Sequence, residues 1–195
     1  MVLLEKAYHS STDSKLRAAS LAYLERLGSP HACSVLARIF RLGNEDASQA
    51  AIRLSRISGH DCAPGLKAII EKEERKGELA VAALRAIGKT RSRALAKFCE
   101  DLCSNGYEPG IRREAAEALG RIAEKSSIPV LARLLEVEDD KLRRASILSL
   151  GLIRSDASAQ ALRTHGKKTG LGPVEVRLIE EALGRLQGRE PARLK

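Results

Sequence analysis

Leucine recurs at Leu24, Leu54, Leu84, Leu119, Leu150 and Leu183, and three residues after each stands another apolar side chain: Leu27, Ile57, Ile87, Ile122, Ile153 and Leu186. The intervals between these anchors are 30, 30, 35, 31 and 33 residues. A step of three keeps both side chains on one face of an α-helix. A second apolar position follows at Leu36, Leu66, Leu95, Leu131 and Leu162, and the last, Leu194, comes as the chain runs out. Each period is therefore a helical hairpin, and neither of its helices can bury its apolar face alone. Hairpins of this size must stack. The expected fold is all-α: a single domain over residues 1–195, an α-solenoid of about six hairpins anchored near 27, 57, 87, 122, 153 and 186. Residues 1–13 supply a half-repeat, the run VLLEKAY followed by capping residues Ser10–Asp13. Half-repeats at both ends suit either terminal caps or a segment of a longer polypeptide, and they leave Val2, Leu3 and Leu4 as candidates for weak self-association.

The period is clearest at Ile111–Asp140. Ile111, Ala115, Ala118, Leu119 and Ile122 share one helical face, and Ile128, Leu131, Leu134 and Leu135 share another. Pro129 falls near the start of the second helix, where a missing N–H costs little. The longest anchor interval holds an insertion, SNGYEPG at Ser104–Gly110, read as a surface connector with Tyr107 as its one large side chain. Aromatics are only 3% of the chain and Trp is absent, so Ala, Leu and Ile must fill the core.

Residues 111–162 resemble HEAT-like repeats of the phycobilisome-lyase type. The resemblance rests on VR-like starts at Ile111-Arg112 and Leu142-Arg143, an AxxALG-like core at Ala115–Gly120, and IPxL at Ile128–Leu131. It implies a superhelix whose second helices line the concave face. It is nearly silent on function, because the family spans scaffolds, chromophore lyases, a hydroxylase and DNA-repair enzymes. The hydroxylase holds iron through His-Glu pairs, but here the four histidines precede Ser10, Ala32, Asp61 and Gly166. The related glycosylases clasp a nucleotide with Trp and Tyr, and this chain has no Trp. His165 reads as a helix-end histidine and His60-Asp61 as a pair of turn caps. No nucleophile, base and orienting group stand at matched spacing. No catalytic residue, metal ligand or cofactor is expected.

An acid precedes an Arg by four residues at Asp13/Arg17, Glu108/Arg112 and Asp139/Arg143. The acid is expected to cap the helix start and meet the Arg one turn on. By resemblance, such pairs knit neighbouring hairpins. Cys33, Cys62, Cys99 and Cys103 lack CxxC or finger spacing and are expected as small buried thiols in a reducing compartment.

The net charge is +9, from 34 basic and 25 acidic residues, which biases the partner toward something acidic. Arg38, Lys67, Lys97, Arg133 and Arg163 come one or two residues after the second-helix leucines, on the flank of the apolar stripe. On a concave face they would form a ladder of one cation per repeat. A second basic set lies at the hairpin turns, at Arg26, Arg56, Lys89, Arg91, Arg93, Arg121, Arg154 and Arg185, where a cation suits a helix C-terminus. Arg91 and Arg93 exceed that need and, with Tyr107, are candidate rim contacts. No apolar run is long enough to span a membrane, and a cytoplasmic location is the default. The functional expectation is a non-enzymatic scaffold holding an acidic segment of a protein partner in its groove. Nucleic-acid backbone binding by a basic groove or rim is the alternative, and a lyase-like subunit acting on a chromophore protein is a second one.

Overall fold

The computed structural model describes residues 6, 8, 10–42, 45–57, 62–74 and 77–188. Val2, Leu3, Leu4, His60, Asp61 and Leu194 lie outside the described residues. The chain divides into two compact units, residues 1–90 and 91–195.

The first unit holds α1 (Ser14–Leu27), α2 (Pro30–Leu42), α3 (Ala47–Arg56), α4 (Ala63–Lys72) and α5 (Gly77–Thr90). Asp13 caps α1 by accepting from the Lys15 N–H at 2.8 Å, and Gly28 ends it in the left-handed conformation that closes many helices. The first helices α1, α3 and α5 pack in sequence, and α2 packs on α4. Leu24, Leu36, Leu54, Leu66 and Leu84 are all buried between them. Leu27 departs from its expected role as an anchor: it is 41% exposed at the outer end of α1.

The second unit holds α6 (Ala96–Leu102), α7 (Pro109–Ile122), α8 (Ile128–Leu134), α9 (Asp140–Leu152), α10 (Asp156–Gly166) and α11 (Pro173–Leu186), with 3-10 turns at Arg93–Leu95 and Lys125–Ser127. Here α7, α9 and α11 pack in order, and α8 packs against α10. Leu119, Leu131, Leu150 and Leu162 are buried, whereas Leu183 is half-buried at the last helix. The insertion is shorter than SNGYEPG suggests. Pro109 opens α7, because proline's fixed φ and absent N–H suit a first helical position.

Two local expectations are corrected. Arg17 does not meet the Asp13 side chain. Its Nε donates at 2.7 Å to Asp46, at the start of α3, and it also pairs with Glu45. Likewise Arg143 donates through Nε to Glu175 on α11 at 3.0 Å, while Asp139 caps α9 by accepting from Lys141 and Leu142. Acid and arginine thus divide the work: the acid caps its own helix and the arginine reaches the next repeat. Arg112 stays local, donating to Asn105 and to the Cys103 carbonyl.

The second correction concerns cysteine. Cys33 on α2 and Cys62 at the start of α4 are joined by a disulfide, with their Cα atoms 5.1 Å apart. The cause is the close approach of successive second helices, which brings equivalent positions of adjacent repeats side by side. A Cβ on Gly65 would stand 2.8 Å from that of Ala37 on the same contact. Cys99 and Cys103 remain buried thiols. Burial pushes the Cys103 thiol up to about 12 and raises that of Cys99 as well, so neither supplies a thiolate at neutral pH.

Candidate binding surface

The five second-helix cations sit at the helix surface, but the structure separates them by what surrounds each. In the first unit Arg38 is exposed on α2 between buried Ala37 and Ile39, and Lys67 on α4 lies 3.6 Å from Glu71. In the second unit Lys97 is 79% exposed, yet Asp101 at 3.3 Å and Glu100 at 3.6 Å offset its charge. The hydrogen bond that Lys97 donates to Asp101 is the chief reason its pKa is raised. Arg133 lines a shallow cavity of about 370 Å³ with Glu100, Val130 and Val137. Arg163 lines another, of about 430 Å³, with Lys125, Arg154 and Asp156. Of the three in this unit, Arg133 and Arg163 each border a cavity, Arg133 beside Glu100 and Arg163 beside Asp156.

The hairpin turns do more. Arg91 and Arg93, at the start of the second unit, share a cavity of about 560 Å³ with Arg121 at the end of α7 and Arg154 just after α9. Each enters for a local reason. Arg121 lies in the last turn of α7, where a cation meets the helix dipole, and it donates to Glu117 one turn back at 3.0 Å. Arg154 follows the corresponding position of the next repeat, and packing of α9 on α7 carries it alongside. Arg93 lies 3.4 Å from Glu124. No carboxylate lines the cavity itself. Tyr107, half-buried in the loop before α7, lines none of these three cavities. Sequence reading placed Arg121 and Arg154 among dipole-satisfying residues. The overlooked signal was their spacing of one repeat.

One buried polar network was also missed. His165, only 3% exposed, donates through Nε2 to Glu175 at 3.1 Å, and Glu175 also accepts from Arg143. His165 is therefore more than a helix-end residue: it ties α10 to α11. Burial alone would push the Glu175 carboxyl up, but the hydrogen bonds from Arg143 and His165 outweigh it and hold it below the usual carboxylate range.

The HEAT repeats family matches residues 63–151 and again 100–184, well over half of the chain, and the chain belongs to that family. No curated protein matches it. Among solved structures, a designed armadillo repeat protein in complex with the peptide (KR)4 is similar at TM-score 0.62 and 14% identity, covering 94% of this chain and 98% of that one. The complex of CpcE and CpcF of phycocyanin lyase from Nostoc sp. is similar at TM-score 0.59 and 17% identity, covering 94% and 75%. An engineered protein is similar at TM-score 0.58 and 18% identity, covering 96% and 98%. At such identities the likeness establishes the fold alone. No helix among the described residues is long and apolar enough to cross a membrane.

Proposed function

We propose that this chain is a non-enzymatic scaffold that binds an acidic segment of a protein partner along its second helices. One repeated arrangement carries the reading. Leu36, Leu66, Leu131 and Leu162 are fully buried, and the cations that follow them, Arg38, Lys67, Arg133 and Arg163, sit at the helix surface. The apolar residue fixes the helix in the stack, and the cation follows it on the helix surface. In HEAT-like folds the second helices line the concave face, and a designed protein of similar fold holds a basic peptide. With a cationic surface and a net charge of +9, the complementary segment here is acidic.

The test is binding of a labelled Glu/Ala peptide to three proteins: wild type, Arg38→Glu/Lys67→Glu, and Arg133→Glu/Arg163→Glu. Each pair, wholly within one unit, should weaken binding by about tenfold or more, as opposed charges at an interface do, with little change in melting temperature. Unchanged affinity in both variants would overturn the reading. A bound chromophore or metal in the purified protein would instead support the lyase-like alternative.

A further inference from the structure

The arginine cavity of the second unit is not explained by helix dipoles alone. Arg91, Arg93, Arg121 and Arg154 enclose it, and Glu117 and Glu124 are the carboxylates that pair with any of them among the described residues. Four guanidiniums against two carboxylates leave two uncompensated positive charges. The lining is concave and holds no aromatic side chain, so it suits a protruding headgroup rather than a stacked base.

We infer that this cavity binds a phosphate monoester carried on a side chain of the partner, a phosphoserine or phosphothreonine. A monoester bears about −1.5 to −2 charge at neutral pH and three acceptor oxygens, which matches two uncompensated charges presented as guanidinium forks. A carboxylate, or the diester of a nucleic-acid backbone, brings a single charge and would leave the cavity half neutralised. Arg154 also lines the neighbouring cavity with Lys125 and Arg163, so the cationic strip continues beyond the phosphate. Acidic residues should therefore flank the modified one. The inference deepens the scaffold reading and rests on it for the protein nature of the ligand; the phosphate contact is read separately.

The experiment compares a short labelled Glu/Ala peptide with central phosphoserine against its serine and glutamate counterparts, on the full chain, by fluorescence anisotropy. The phosphopeptide should bind about tenfold or more tightly than the glutamate peptide, as charge-assisted bidentate pairing predicts. Arg91→Gln/Arg93→Gln, both at exposed positions and neither lining the neighbouring cavity, should abolish that preference and leave glutamate-peptide binding nearly unchanged. If that variant melts early, Arg93→Gln alone takes its place. Equal binding of the two acidic peptides, a preference that survives the substitutions, or no binding of the phosphopeptide overturns the inference. So does a DNA duplex that outcompetes the phosphopeptide and depends on the same arginines. Glutamate-peptide binding without phosphate preference sinks this inference alone. Arginine-dependent phosphopeptide binding with no glutamate-peptide binding sinks only the reading of the second helices as the acidic-segment site.

Discussion

The Ser149 hydroxyl on α9 donates to the carbonyl of Ala116 on α7 at 2.8 Å, and Ser149 packs directly against Gly120, one turn along the same helix. A Cβ built on Gly120 would lie 2.6 Å from the Cα, Cβ and Oγ of Ser149. The next repeat does the same: a Cβ on Gly151 would stand 2.8 Å from the Cβ of Ala182. In each case the glycine after the buried leucine faces the small residue before the next leucine. The glycine of the ALG core is thus an interface residue, and it sets how closely adjacent first helices approach.

Gly120→Ala should therefore destabilise the second unit by about 1–3 kcal/mol, the usual cost of overpacking, because the clashing atoms include backbone that cannot swing aside. Gly106→Ala is the control, since nothing lies within 4 Å of its added Cβ. Urea unfolding of both variants checks this, and equal midpoints would remove Gly120 from the interface.

Ala123 should behave in the opposite way. It ends α7 at φ 58°, where its Cβ costs about 1–2 kcal/mol that glycine would not incur. Ala123→Gly is expected to stabilise the protein by somewhat under that amount, since glycine also gives the unfolded chain more freedom. Thermal melts should show a rise. A fall would mean the left-handed turn is not formed.

The network of Arg143, His165 and Glu175 predicts a defined acid response. The folded-state pKa of Glu175 is held below its ordinary value of 4.5, so its contribution is fully present above that pH. It is lost as pH falls from there through the depressed folded value, when the unfolded chain takes up the proton first. Glu175→Gln should cost about 1–3 kcal/mol at neutral pH, in the range for hydrogen bonds to a charged group. The gap from wild type should narrow below about pH 4.5. Denaturant midpoints across that range provide the test, and a gap independent of pH would show that Glu175 does not fold as a carboxylate.

Reduction should weaken the first unit. The Cys33–Cys62 bond spans a sequence separation of 29 residues, and a link of that length contributes about 2–4 kcal/mol by restricting the unfolded chain. Cys33→Ala/Cys62→Ala, or the wild type in reductant, should melt earlier. Identical melts with and without reductant would show that the two thiols stay apart.

What the chain specifies locally it specifies plainly. Leu36, Leu66, Leu95, Leu131 and Leu162 are all buried, as are five of the six leucines three residues before the anchors, because a 3.6-residue period decides which side of a helix faces the stack. Asp13 and Asp139 cap the helices they precede for the same reason: cap and N–H groups are neighbours in sequence. The groups that meet across a repeat were a different matter. Arg17 reaches Asp46, Arg143 reaches Glu175, Cys33 bonds Cys62, and Arg121 and Arg154 share a cavity with Arg91 and Arg93. Each of these contacts depends on how closely helices pack and how they are turned against one another. Such distances arise from interfaces like that of Gly120 with Ser149, to which local periodicity contributes no information. Helix phase is a property of one segment, and it could be read directly. Convergence of charge is a property of the stack, so the arginine cavity became visible only when the repeats were packed.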